Sequence, residues 1–179
     1  MSAGGLQIGD LAPPLELLDT GGELHTLPMP GEAPATVIVW TCNHCPYALA
    51  WHDRIVAAAG DYAPRSVRFL AINSNDAERY PADSPAAMRE RVESEDWPFP
   101  YLHDPTQEVA RAYGAQVTPD LFVLDSELRL RYRGAADADH REPSHDADWL
   151  RSALDRVLAG EQPSPAQTES VGCSVKWRQ

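Results

Sequence analysis

The sequence predicts an α/β fold with a central mixed sheet flanked by helices, and three observations carry that prediction. Two β-branched, apolar runs, Ala35–Thr41 and Val67–Asn73, are separated by a helical pattern, as buried strands joined by a crossover helix require. Farther on, Asp120–Asp125 and Leu128–Arg133 flank a short turn at Asp125-Ser126-Glu127, the form of an antiparallel pair. The second of these runs alternates strictly, with Leu128, Leu130 and Tyr132 on one face and Arg129, Arg131 and Arg133 on the other. That marks a half-buried strand with its outer face in water.

The elements follow in order. Pro14–Leu27 reads as a hairpin around Asp19-Thr20-Gly21-Gly22. Ala35–Thr41 is a central strand, and from Pro46 the residues Tyr47, Leu49, Trp51, Ile55, Val56 and Ala59 make an apolar helical face that ends at Gly60. After Val67–Asn73, Ser84-Pro85 has the form of a helix N-cap followed by proline at the first helical position. Asp104-Pro105-Thr106-Gln107 predicts another helix start, with Asp104 capping and Gln107 reaching back in a capping box, and Gly114 as its stop. A last helix spans about Asp146–Ala159 before Gly160, carrying Trp149, Leu150, Ala153, Leu154, Val157 and Leu158. The expected organisation is one domain over 1–179, with a core of about 9–160 and a C-terminal tail, 161–179, docked on the body.

A chain of 179 residues is long enough to bury a core without staples. Its net charge of −12 argues against nucleic acid, whose phosphates need Lys and Arg, and against an anionic membrane surface. No stretch approaches the roughly 20 apolar residues of a membrane span. The first eight residues show neither a basic segment nor an apolar one, so a cytoplasmic location is expected. Three cysteines are too few for a disulfide scaffold, and in a reducing compartment a close pair reads as catalytic or metal-binding.

That pair is Cys42-Asn43-His44-Cys45, set between a strand and a helix. The unpaired N–H groups and positive end of a helix favour a thiolate at Cys42, and the thiolate is the nucleophile. Cys45, one turn on, would attack a mixed disulfide on Cys42 and release the product. His44, when protonated, would add positive charge beside both sulfurs. Half of a structural zinc site is the competing reading; it needs two further ligands, and Cys173 is the sole remaining cysteine. Thr118-Pro119, just before the Asp120 strand, could be an ordinary edge or turn proline.

Several segments together resemble the thioredoxin superfamily, and within it the peroxiredoxin-like branch of alkyl hydroperoxide reductases and thiol-specific antioxidants. They are Gly9–Pro13, Thr41–Pro46, Ala71–Asp76, Pro98–Leu102, Val117–Asp120 and Gly172–Trp177. The resemblance implies a thioredoxin-like fold with an insertion, about Asn75–Gly114, before the Pro119 strand. It implies a cis bond at Pro119, packed against the dithiol, and a Thr118 backbone that offers strand-like hydrogen bonds to substrate. Two departures stand out. Trp40 occupies the place two residues before Cys42 where peroxiredoxins carry threonine, so the peroxidatic motif is not met. Ala35–Thr41 also lacks the buried carboxylate of thioredoxin, which leaves no base for Cys45.

The expected function is a thiol–disulfide oxidoreductase acting on protein or low-molecular-weight disulfides and thiols through Cys42, Cys45, His44, Thr118 and Pro119, with no cofactor. A thiol peroxidase acting on hydroperoxides is the alternative, and a non-catalytic metal-binding thiol protein the second. Cys173 reads as a small apolar residue of a docked tail strand among Val171, Val175 and Trp177, or as a third redox thiol, or as the completing ligand of a Cys42, Cys45, Cys173, His44 metal site. The ligand-rich loop from Asp137 to Asp148 reads as a solvated helix cap or a cation site. Asn73–Asp76 reads as turn chemistry.

Overall fold

The computed structural model describes residues 5–28 and 32–179, so residues 1–4, part of the N-terminal stretch considered above, lie outside the described residues. β1 (Leu15–Leu18) and β2 (Leu24–Leu27) form the hairpin. Asp19 closes its turn, its Oδ1 accepting from the N–H groups of Gly21 and Glu23. Then come β3 (Ala35–Trp40), α1 (Pro46–Tyr62), β4 (Arg68–Asn73), α2 (Pro85–Glu95) and β5 (Tyr101–His103). The chain continues through α3 (Glu108–Tyr113), β6 (Val117–Thr118), β7 (Asp120–Asp125), β8 (Leu130–Gly134), α4 (Asp148–Leu158) and β9 (Cys173–Ser174).

The central sheet runs β5-β4-β3-β7-β8, parallel across β3–β4 and β4–β5, antiparallel across β3–β7 and β7–β8. It is the mixed sheet the sequence predicts. β3 is buried at every position because both faces are covered. Val37 and Val39 join one core with Trp51 and Ile55 of α1 and Leu150 and Leu154 of α4. Ile38 and Trp40 join a second with Leu15, Leu17 and Leu27 of the hairpin and Ala110 and Tyr113 of α3. Two-sided burial is why the strand reads as a continuous apolar run rather than an alternation.

Three local differences from the sequence expectation have physical reasons. α1 passes through Gly60 to Tyr62, because the buried Tyr62 ring and its hydroxyl, which donates to the Arg151 carbonyl, hold the last turn. That outweighs a glycine penalty of about 1 kcal/mol. β5 is missing from the sequence reading, since three residues behind Pro98 and Pro100 are too short for periodicity. The capping box at Asp104 does not form. Gln107 takes a left-handed conformation and α3 starts after it, while Asp104 Oδ2 accepts from the Ala110 N–H instead. α3 does end at Gly114, whose φ of +73° and close approach to Gly5 suit a residue without Cβ. The Ser84 cap forms as expected, accepting from the Ala87 N–H at 3.2 Å.

The loop before α4 is pinned rather than loose. Asp137, 1% exposed, accepts from Trp51 Nε1, from both contacts of Arg54 Nη1 and from the Ala147 N–H. Arg54 also donates to the carbonyls of Asp139, His140 and Glu142. Among the described residues, the loop's carboxylates and histidines do not gather into a cation-sized group.

Asp137→Ala leaves a guanidinium and an indole N–H without their partner in a buried setting. We expect a loss of about 3–5 kcal/mol, read as a lower urea midpoint at unchanged slope.

Candidate functional site

β3 delivers the chain into Thr41 and Cys42, and α1 takes it away from Pro46, with Cys45 as its N-cap residue. Between them Asn43 works as a clip. Its N–H donates to Asp83 Oδ1 at 2.7 Å, its Nδ2 to the Ala82 carbonyl at 2.8 Å, and its Oδ1 accepts from the Tyr101 hydroxyl at 2.8 Å. Arg91 of α2 donates to the Cys42 carbonyl at 3.1 Å. The loop is therefore tied to three other segments.

Cys42 and Cys45 are 1% and 0% exposed. Both meet Thr118. The Cys42 sulfur lies 3.4 Å from Thr118 Oγ1, and the Cys45 sulfur 3.1 Å from the Thr118 carbonyl oxygen. The Thr118–Pro119 bond is cis. Thr118 is not a free strand edge, however. β6 is paired antiparallel with β9, placing Cys173 opposite Thr118, and Cys173 packs against the cluster of Cys42, Cys45 and Ala48. The tail strand is held by the Gln116 carbonyl on Val175 N–H, by Asn75 Oδ1 on Lys176 N–H, and by Asp76 N–H and Gln107 Nε2 on the Lys176 carbonyl. Asn75, Asp76 and Gln107, which the sequence gives to turn and cap chemistry, are tail clamps.

Asp83 is a site residue the sequence reading missed. It is fully buried, and its carboxylate accepts from Asn43 N–H, Asn73 Nδ2 and Asn75 Nδ2. His44 Nδ1 lies 2.6 Å from its Oδ2, with the His44 ring stacked on Tyr80. No spacing rule links position 83 to position 44; the signal available was an acidic residue just ahead of a well-marked helix start. A buried carboxylate is thus present, but on the turn before α2 rather than on β3. Positive charge on His44 would be paired at once with Asp83, which weakens its expected effect on the sulfurs.

The sulfur at the head of α1 is Cys45, not Cys42 as the sequence suggests. Its partner sulfur and the amides of Ala48 and Cys173 pull Cys45 down, to about 4. The hydrogen bond to Cys45, burial and the Asp83 charge push Cys42 well up. The contact with the Thr118 carbonyl works the other way, since an acceptor there favours a proton on Cys45. The pair therefore titrates as one unit, losing its first proton easily and its second with difficulty. Cys173 is pushed up to about 11 by burial and by the neighbouring Cys45.

Cys42, His44 and Asp83 offer ligand atoms within 4.8 Å of one another, as do Asp19, Glu23 and His25. Cys45 and Cys173 do not belong to the first group, so the alternative four-ligand set of three cysteines and His44 is not assembled among the described residues.

A five-stranded mixed sheet with helices on its faces, a dithiol at the head of the first helix and a cis-proline strand beside it define a thioredoxin-like protein. The chain belongs to the AhpC/TSA family, whose model matches residues 8–133. It is 42% identical to an uncharacterized conserved protein from Geobacillus kaustophilus, over 97% of this chain and 93% of that one, with a TM-score of 0.91. It is 37% identical to a hypothetical protein from Sinorhizobium meliloti, over 98% and 97%, also with a TM-score of 0.91. A putative DsbE-type thiol:disulfide interchange protein from Chlorobium tepidum, 18% identical over 86% and 99% with a TM-score of 0.70, shares the fold. No curated protein matches. The family supports a thiol redox function, and no helix among the described residues is long and apolar enough to cross a membrane.

The shared proton has a pH consequence. Between the ordinary cysteine value of 9.0 and about 4 the folded reduced chain holds one proton fewer than the unfolded chain. Reduced-state stability therefore rises with pH across that window and is lost as acid returns the proton. We expect thiolate absorbance near 240 nm equivalent to one sulfur at neutral pH, fading as pH falls toward 4, and absent in Cys45→Ser.

Proposed function

We propose that the protein is a thiol–disulfide oxidoreductase whose electrons are carried by Cys42 and Cys45. The observation that carries the reading is the double contact with Thr118. Moving the shared proton onto Cys45, where the Thr118 carbonyl accepts it at 3.1 Å, leaves the charge on Cys42, where Thr118 Oγ1 can donate to it. Cys42 then attacks one sulfur of a disulfide, the other sulfur leaves as a thiolate, and Cys45 displaces the bound half by forming the Cys42–Cys45 bond. Two thiols of the protein become one disulfide while one substrate disulfide becomes two thiols. Asp83 and His44 are positioning residues here, since through Asn43 and the His44–Asp83 contact they hold the loop that carries both sulfurs. Pro119 sets Thr118 against them. A cytoplasmic setting belongs to the same reading, with protein or low-molecular-weight disulfides as partners.

The near-complete burial of both sulfurs favours a second reading with a small oxidant, a hydroperoxide. There the thiolate would take one peroxide oxygen as a sulfenic acid, releasing the alcohol, and the second thiol would displace water to give the same disulfide.

Reduction of insulin disulfides in the presence of dithiothreitol tests the first reading. Cys42→Ser and Cys45→Ser should each fall by roughly 10³-fold or more, to the uncatalysed rate. Activity surviving either change would refute a two-sulfur mechanism. Hydroperoxide consumption lost in the same variants, with no insulin activity in wild type, would select the second.

A further inference from the structure

Three thiols meet at one residue, and the proposed exchange uses two of them. Cys173 is the most exposed of the three, Cys42 and Cys45 being buried. It stands opposite Thr118 in an antiparallel pairing, which is the position a docked disulfide-bearing chain would take on this edge. Its side chain packs against the cluster of Cys42, Cys45 and Ala48. The residue before it must be small. A Cβ on Gly172 would run into the Thr118 carbonyl, so Gly172 allows the tail to lie directly on the residue that contacts both sulfurs. Beyond Cys173 the tail is anchored by Val175 and Lys176 on Gln116, Asn75, Asp76 and Gln107, and Arg111 lies over the Trp177 ring at 4.6 Å. The anchoring fixes register, so Cys173 meets Cys45 on every closure of the tail.

We propose that the C-terminal strand is an internal substrate and that Cys173 is a third redox thiol, exchanging with Cys45. Resting on the dithiol reading above, the step begins from the Cys42–Cys45 disulfide. The Cys173 sulfur, giving up its proton, attacks the Cys45 sulfur. The Cys45–Cys173 bond forms, the Cys42–Cys45 bond breaks, and Cys42 leaves as a thiolate that takes up the proton. No external oxidant is consumed in this exchange, and the two electrons stay with the protein. The product has the tail covalently fixed across Thr118 and a single free thiol, Cys42. In this state the edge that would receive an external chain is closed, so the oxidised protein divides between an open disulfide and a locked one.

The test is disulfide mapping by mass spectrometry after oxidation with diamide, which supplies the oxidising equivalents, followed by alkylation of the remaining thiols. Wild type should give both Cys42–Cys45 and Cys45–Cys173, Cys173→Ser the first alone, and Cys42→Ser an intramolecular Cys45–Cys173 bond. Free thiols or intermolecular dimers alone in folded Cys42→Ser would overturn the proposal. Gly172→Ala, with all three cysteines present, guards against a folding defect in that variant. It should cut the Cys45–Cys173 share by roughly tenfold while Cys42–Cys45 persists, and an unchanged share would also sink the idea. Absence of Cys42–Cys45 in Cys173→Ser would instead overturn the dithiol reading and the exchange with it, whereas its presence there, with Cys45–Cys173 missing from wild type, would overturn the third thiol alone.

Discussion

The site depends on one residue holding two sulfurs at once. Thr118 offers a hydroxyl to Cys42 and a carbonyl to Cys45, at 3.4 and 3.1 Å. A hydroxyl can donate to a thiolate, and a carbonyl can only accept from a thiol. The same residue therefore stabilises the charge on one sulfur and the proton on the other, which is what an exchange reaction needs at its outset. Amides from Ala48 and Cys173 oppose that arrangement by favouring the charge on Cys45. With partners for either placement at hand, a single proton can move between the sulfurs without leaving a buried site, where an isolated charge would be costly.

Holding the sulfurs still falls to residues outside the motif. Asn43 spends its backbone N–H, its amide and its carbonyl oxygen on Asp83, Ala82 and Tyr101. Asp83 in turn gathers Asn73 and Asn75 from the end of β4. Asn73, Asn75, Asp83 and Tyr101 are buried and partnered, so the network resists distortion more than an apolar packing of the same size would. It also joins the dithiol loop to the tail, because Asn75 accepts from the Lys176 N–H through its other amide atom. A shift of the tail is thereby felt at Asn75, two bonds of the network away from the motif.

The sheet was legible in the sequence because its physics is local. Ala35–Trp40 and Arg68–Asn73 are apolar at nearly every position, Leu130–Gly134 alternates, and Ser84-Pro85 caps where it should. The dithiol was legible in its place between a strand and a helix, and the cis bond at Thr118-Pro119 through the resemblance. What was not legible involves pairing across long separations. Gln107 has the spacing of a capping box, yet its amide donates to Ser74 and Lys176 carbonyls, because burial of those carbonyls demands a partner more strongly than an exposed helix start does. Asp83 gave no sign of its role because its meaning comes from Asn43, 40 residues earlier. The helix start at Pro46 was read correctly, yet the helix-head role was given to Cys42, whereas Cys45 is the sulfur that adjoins that start.

The tail changes how burial and reactivity fit together. Its strand rests on a few hydrogen bonds, to Gln116, Asn75, Asp76 and Gln107, each contributing about 0.5–1.5 kcal/mol. Opening it costs a few kcal/mol, within the range of local unfolding rather than of global unfolding. An external disulfide must wait for that opening to reach sulfurs that are 1% and 0% exposed, so its apparent reactivity falls in proportion to the open fraction. Cys173 carries no such cost, since it is already seated. A thiol made unreactive by its own high pKa can still compete when its effective concentration is set by a strand register rather than by diffusion. Burial of the dithiol and placement of the third sulfur are then two sides of one arrangement. On the proposed reading, the fold makes outside disulfides depend on an opening of the tail and keeps an inside thiol in range.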